Sequence, residues 1–365
     1  MEFKICYYKD LTNEQWDNFV TQVDIASYYH SWQWLNYCSK FLNIKEHCSF
    51  VLLNDNGAPI AICPLAITTN PGKHINEISF SGIPAGIPAI NENNPSLRRK
   101  ILSYIFTFIE DYAKKYEVMN IKMIYHSLNR AFCQKEFASQ QYSFELLRYG
   151  MHYYVNNSSV INLNLCQEKL SENLSKYHRR HIMRGAKKGI YVKVFNQLYN
   201  KEESRQYFNQ YQKIHLLTAG KMTRPQETWD EMYNGLLKGC ASLFVAFVKD
   251  TPISYLYCGE FSLMAFGWSQ VNVAEYEEEY SPRHTIEWEA ILYYQNQKFN
   301  FYEVGEIFYK PQFFYLASEK EKSISILKER FGGFLVPKVF WIGYFNNEFK
   351  KEDLISRLND YLGCC

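Results

Sequence analysis

The sequence lacks the marks of several large function classes, and each absence narrows the field. Its ten cysteines (Cys6, Cys38, Cys48, Cys63, Cys133, Cys166, Cys240, Cys258, Cys364 and Cys365) include no C-x-x-C pair, so neither a disulfide framework nor a zinc site is expected. They read as small apolar residues of a reducing compartment. Long hydrophobic runs are missing too. Leu243 to Val248 is far shorter than the ~20 residues that span a bilayer, and the opening MEFKICYYKD carries no signal-peptide pattern. A cytoplasmic protein without a transmembrane segment is expected. No polybasic segment precedes Cys364-Cys365, and stable lipid anchoring usually takes two signals, so the pair reads as a frayed tail. A net charge of +2 gives no bulk attraction for polyanions, and DNA is not an expected partner. No Ser-His-Asp order, P-loop or dinucleotide fingerprint occurs.

What remains is a globular chain of 365 residues, 47% hydrophobic and 17% aromatic, long enough for two domains. No low-complexity tract or Pro/Gly/Ser linker divides it, so the division comes from element order. Helices are expected over Thr12 to Val20, Trp32 to Leu42 and Leu97 to Tyr116. Strands are expected over Ser49 to Leu53, Ile60 to Ile67 and Asn120 to Tyr125, with a shaped Gly/Pro loop from Ser79 to Pro88. The second half repeats the layout. Helices are expected over Gln167 to Lys188, Glu202 to Leu217, Thr228 to Lys238 and Thr285 to Gln297. A hairpin (Ser242 to Lys249, Ile253 to Glu260), strands at Leu263 to Ser269 and Asn300 to Val304, and a final helix-strand pair complete it. Two α/β domains follow, 1–155 and 156–365, with the main site in the second.

The most informative segment runs from Lys169 to Gly189. As a helix it sets Leu170, Leu174, Tyr177 and His181 on one face, and Lys176, Arg180, Arg184 and Lys187/Lys188 on another. Like charges at this spacing repel by a few tenths of a kcal/mol per pair. The row is either a solvated basic face or a site for phosphate or another anion. His178 and His181 read as packing or capping residues. Downstream, Glu303 and Glu306 flank Gly305 near a strand's end, where open α/β sheets place their sites. Either could take a proton from an amine. Lys328, before Phe331-Gly332-Gly333, puts a cation beside a close-approach turn suited to phosphate or an oxyanion. Trp268 near a strand end could border an acyl channel, and Arg224 follows a helix break at Thr218-Ala219-Gly220 that could face substrate.

Four segments in order resemble the FemAB-like proteins. Arg179, Ile182-Met183-Arg184, Ala186, Lys188 and Gly189 resemble that family's R-x-x-IR-x-A-x-K-x-G signature. Ser281-Pro282 with Trp288 and Ile291 resembles its P…W-x-x-I helix, Tyr302-Glu303-Val304-Gly305 its Y-D-F-G strand, and Leu327-Lys328 through Gly333 its F-K-x-x-F-G ending. A weaker echo lies at His30-Ser31-Trp32-Gln33-Trp34. The resemblance implies two tandem GNAT-like domains, each a mixed sheet flanked by helices. It also implies an N-acyltransferase acting on an amine of a cell-envelope precursor, such as a nucleotide- or lipid-linked amino sugar, within polysaccharide or envelope biosynthesis.

By the same resemblance no cofactor stays bound. The donor is acyl-CoA, acetyl-CoA among the candidates, with aminoacyl-tRNA as the alternative for a peptidoglycan interpeptide-bridge ligase acting on a peptide acceptor. Arg180 or Arg184 would hold the acceptor's phosphates, Lys328 would face phosphate or the oxyanion, and Lys176 and Trp34 would also bind substrate. Contact with a lipid-linked substrate would be peripheral. Two departures favour the broader acyltransferase group over peptidoglycan branching. Cys38 stands one turn after Trp34, where the muropeptide ligases carry lysine, with Lys40 two residues on, and there is no helical-hairpin insertion. The coenzyme A signature [R/Q]-x-x-G-x-[G/A] is also not evident. A third reading, from another class, is a non-catalytic protein whose basic helix docks an anionic glycan.

Overall fold

A computed structural model of the chain describes residues 3–41, 43–70, 72–126, 128–129 and 144–364; Leu42, Cys133 and Cys365 lie outside them. In chain order the elements are β1 (Lys4–Tyr7), α1 (Asn13–Thr21), α2 (Trp32–Ser39), β2 (Ile44–His47), β3 (Phe50–Leu53), β4 (Pro59–Cys63), β5 (Ala66–Asn70), β6 (Ile75–Ile78), β7 (Ala85–Gly86), β8 (Ala89–Ile90), α3 (Pro95–Lys115) and β9 (Val118–His126). Then follow β10 (His152–Asn162), α4 (Gln167–Asn173), α5 (Lys176–Lys187), β11 (Ile190–Phe195), α6 (Lys201–Ala219), α7 (Gln226–Leu237), β12 (Ala241–Val248), β13 (Thr251–Phe261) and β14 (Met264–Asn272). The chain ends through α8 (Ala274–Tyr280), α9 (Pro282–Asn296), β15 (Phe301–Ile307), α10 (Glu319–Glu329), β16 (Phe334–Tyr344) and α11 (Asn347–Cys364).

These elements form two compact units. The first comprises Met1–Asn156, Tyr309–Ser318 and Pro337–Cys365; the second comprises Asn157–Phe308 and Glu319–Val336. The sequence reading placed everything after 155 in one domain, whereas the structure assigns 309–318 and 337–365 to the first unit. The cause is β16, whose Lys338–Tyr344 pairs antiparallel with His126–Asn120 of β9.

In the first unit, β1, β3, β4 and β8 form one small sheet, and β2, β5, β6, β9 and β16 lie side by side in another. Asn94 caps α3 through its side chain, and Pro95 starts it where a missing N–H costs nothing. Ile101, Ile105 and Ile109 then recur every fourth residue and bury completely among Phe50, Ile67, Ile121 and Trp341. The run Ile60 to Ile67 is two strands, because Pro64 has no N–H for a ladder and the chain steps from one sheet to the other there.

The second unit is an antiparallel run, β11 to β14, followed by β15 parallel to β14 and by β10 antiparallel to β15. Along β13, Leu256 and Cys258 face α9 in the main apolar cluster, while the alternate residues Tyr255 and Tyr257 meet Tyr211 and Phe208 of α6. Helix α9 is therefore buried nearly all round. Ile286, Glu287, Ala290, Ile291 and Tyr294 have at most 5% exposure, as expected for a helix laid across a sheet and covered by others.

The expected single helix Gln167 to Lys188 is two. Leu174 adopts an extended backbone, and Ser175 caps α5 by accepting the N–H of His178, because serine competes for the backbone better as a cap than inside a helix. Gly185 lets α5 cross α9 closely: a Cβ there would overlap Thr285 Oγ1.

Helix α11, not expected, is fastened by Asp353. This carboxylate is 5% exposed and accepts from Lys73 Nζ at 2.7 Å, Arg357 Nε at 2.7 Å and Tyr344 Oη at 2.8 Å. Burial alone would raise its pKa, but these hydrogen bonds outweigh it and hold the group at about 2 rather than 3.8. A carboxylate so depressed contributes stability above its unfolded pKa and loses it as pH falls through the folded value. Asp353→Asn is expected to cost about 2 kcal/mol near neutral pH. In denaturant titrations the gap to the parent chain should close as pH falls from about 4 to about 2; a gap independent of pH would contradict this.

Candidate functional site

Two strands of the second unit part company at one point. β14 and β15 pair in parallel only over Met264–Phe266 and Phe301–Glu303. Just beyond, each strand carries one extra residue. On β14, Tyr257 pairs with Ser269 but Cys258 with Gly267, leaving Trp268 as a bulge. On β15, Ser159 pairs with Gly305 but Val160 with Glu303, leaving Val304 as a bulge. A bulge bends its strand and takes the extra residue out of the ladder. With both partners bulged at the same level, the strands diverge and a cavity of about 180 Å³ opens between Gly267–Gln270 and Val304.

Lys328, in the last turn of α10, closes one side of this cavity. Its helix is docked on the end of β15 by Ser325 Oγ, which accepts the N–H of Phe308 at 2.7 Å. The ammonium donates to the carbonyl of Glu306 at 3.2 Å and lies over Gly305, where a Cβ would stand 2.6 Å from Nζ. Gly305 also has φ +129°, a region closed to other L residues. The glycine thus serves both the bulge and the passage of the lysine.

The floor carries Glu287 of α9, 5% exposed. Tyr302 Oη donates to Glu287 Oε1 at 2.7 Å, and the Cys258 thiol lies 3.8 Å from the same hydroxyl. Burial raises the pKa of Glu287, opposed by the Tyr302 hydrogen bond and by the charges of Arg283 and Lys328. Gly267 keeps the approach open, since a Cβ there would come within 3.0 Å of Tyr302 Oη and 3.5 Å of Glu287 Oε1. Arg283, one helical turn before Glu287, also lines the cavity, and burial lowers its pKa.

Of the residues singled out from sequence, Lys328 and Trp268 line this cavity. Glu303 and Glu306 do not. Glu303 is buried and accepts from Ser158 Oγ at 2.5 Å, and Glu306 accepts from Lys328 through its backbone carbonyl. On α5, Lys176 and Arg180 are exposed. Arg184 instead donates to the carbonyl of Glu279 at 2.7 Å, and Lys188 reaches Glu279 Oε1 at 3.1 Å. Two cations of the expected anion row thus meet the carbonyl end of α8, as basic groups near helix C-termini do. Arg224 lies 4.7 Å from the Trp229 ring centroid and contacts Met232 Sδ. Trp34 belongs to the first unit, among Tyr28, Tyr29 and Tyr37.

Sequence reasoning missed Glu287 and Arg283. The signal was present in the Pro282-to-Ile291 segment, where a charged residue one turn after the helix start shares the stretch with Trp288 and Ile291. Nearby, His178 and His181 each pack against His284 with tilted rings, centroids 4.6 Å apart in both pairs. Burial holds His178 near a pKa of about 4 and His284 near about 3, so both are neutral packing groups at physiological pH. Among the described residues no group of three or more His, Cys, Asp or Glu is placed to hold a metal ion, and no helix is long and apolar enough to cross a membrane.

No protein-family profile and no curated protein matches the sequence. Solved structures do match. FemX superposes with a TM-score of 0.68 over 97% of this chain and 100% of its own, at 12% identity. The chain has the fold of FemX. L-PGS from Bacillus licheniformis (TM-score 0.52, 10% identity, 94% of each chain) and a conserved protein of unknown function from Bacteroides thetaiotaomicron (TM-score 0.56, 9% identity, 93% of this chain and 99% of that one) share it. The FemX likeness spans both units. The architecture expected from the FemAB-like segments, two α/β units with mixed sheets flanked by helices, is the one this FemX-like chain has.

The pairing of Gly305 with Lys328 can be tested by stability alone. Gly305→Ala is expected to cost about 1–3 kcal/mol, because it combines a strained backbone with a crowded ammonium. With Lys328→Ala in the background, part of that loss should return. Equal losses in both backgrounds, measured by denaturant unfolding, would show that the glycine does not accommodate the lysine.

Proposed function

We propose that this protein is a transferase that moves an acyl or aminoacyl group from an activated ester or thioester onto an amine, with the reaction carried out where β14 and β15 diverge. The observation that carries this reading is the cavity itself. It is a slot between two bulged strands, walled by backbone and by Trp268, with one ammonium at its edge. A tetrahedral intermediate at a carbonyl carbon needs donors aimed at its oxyanion, in a site already dry and ordered. Lys328 supplies one, and the amides released from the ladder at the bulges supply others. The fold shared with FemX and L-PGS supports the same class.

The acceptor we favour is an amine of a cell-envelope precursor, such as a nucleotide- or lipid-linked amino sugar. Lys176 and Arg180, exposed on one face of α5, suit the phosphates of such a molecule. Peptidoglycan branching is the second reading, favoured by the FemX likeness. Against it, the position of the ligases' lysine is held by Cys38, which is fully buried and whose thiol burial keeps protonated. The donor is an acyl-CoA in the first reading and an aminoacyl-tRNA in the second.

A thermal-shift screen with acyl-CoAs, nucleotide amino sugars and aminoacyl-tRNA should single out the donor class, since a ligand at 100 times its Kd adds about 2.7 kcal/mol. With the substrate so found, Lys328→Ala should lower turnover by ~10²–10³-fold, the usual effect of removing one oxyanion donor. Its unfolding transition should stay close to that of the parent. Turnover equal to the parent's would sink the assignment.

A further inference from the structure

Among the described residues the slot holds one carboxylate, and the transfer reaction has one proton to move. We propose that Glu287 is the general base that takes this proton from the acceptor amine, a deepening of the transferase reading that rests on it. The group has the required surroundings. It lines the cavity with Lys328 and Gly267, and its Oε1 is fixed by the Tyr302 hydroxyl at 2.7 Å. That hydroxyl is its one hydrogen-bond donor among the described residues. The missing side chain at Gly267 leaves the route to this pair open.

The other carboxylates of the neighbourhood are committed elsewhere. Glu260 accepts both Ser242 Oγ and Tyr294 Oη, and Glu303 accepts Ser158 Oγ; neither lines the cavity. The charged and titratable groups that act on Glu287 are Arg283 from its own helix, Lys328 from α10, Tyr302 from β15 and Cys258 from β13. Burial raises the pKa of this carboxyl, and the Tyr302 hydrogen bond and the two cations oppose that rise, so the group is more basic than an exposed glutamate, as a general base must be.

The step balances without an outside reagent. The amine lone pair attacks the donor carbonyl, so the C–N bond forms and the carbonyl becomes an oxyanion facing Lys328. Glu287 removes the N–H proton. Collapse of the intermediate breaks the bond from carbon to the leaving sulfur or oxygen, which receives that proton, and the products are an amide and a neutral thiol or alcohol. Glu287 returns to its carboxylate.

The test is Glu287→Gln, which keeps the shape and an oxygen to accept the Tyr302 hydrogen bond. Turnover should fall by ~10²–10⁴-fold with KM little changed. The ascending limb of the parent's pH–rate profile, which marks the loss of the Glu287 proton, should vanish. Parent-like turnover with an unchanged profile would overturn the proposal while leaving the transferase reading intact. Failure of the parent chain itself to transfer any acyl group would instead count against that reading. The second measurement needs no substrate: a carboxyl carbon-13 titration, with Glu287 assigned by its missing resonance in Glu287→Gln. It should show a pKa above the ordinary glutamate range that rises further in Lys328→Ala; an ordinary value, indifferent to Lys328, would refute the assignment.

Discussion

The second unit is organised around the parting of β14 from β15. Two parallel strands held by a regular ladder offer no room between them. Here the ladder stops after Phe266 and Glu303, because each strand takes on one extra residue at that level. The opening then has to be walled. Helix α9 lies below it and brings Glu287 and Arg283, and α10 stands at its end and brings Lys328. Gly267 and Gly305 are the points where backbone comes close to these groups: a Cβ at Gly305 would overlap the Lys328 ammonium, and one at Gly267 would crowd the Tyr302 hydroxyl that holds Glu287.

That constraint explains why the site is chemically lopsided. A carboxylate in an apolar setting resists ionisation, whereas an ammonium nearby favours it. Glu287 sits between these influences, under Tyr302 and within reach of the fields of Arg283 and Lys328. The same cavity therefore brings a buried carboxyl together with two cations. Such pre-organisation is what gives electrostatic catalysis its weight.

Much of the fold was legible in the chain. α3 and the β12–β13 hairpin follow from period and turn chemistry, whereas the strand expected to stop at Val304 runs on to Ile307. Lys328 could be picked out because Phe331-Gly332-Gly333 marks a close approach; in the structure a Cβ at Gly332 would overlap the carbonyl of Asn173. Other features were set by tertiary contact and left no local trace. The bulges at Trp268 and Val304 depend on which strands become neighbours. Glu287 looked like one more acid in a helix, because only the burial of α9 nearly all round makes it special. Glu303 and Glu306 were chosen for lying near a strand's end. The pleat then turned Glu303 towards Ser158, and Glu306 engages Lys328 through its backbone. The basic row of α5 was read without α8, whose carbonyl end receives Arg184 and Lys188.

Acyl transfer as proposed requires the reacting carbonyl to lie in the slot between the diverging strands. A crystal structure with a hydrolysis-resistant donor, an amide-linked aminoacyl adenosine or a thioether analogue of the acyl-CoA that the screen selects, tests this most directly. The acyl group is expected between Trp268 and Gly305, with its carbonyl oxygen within hydrogen-bond distance of Lys328 Nζ. An acyl group bound elsewhere, with the slot filled by water alone, would contradict it.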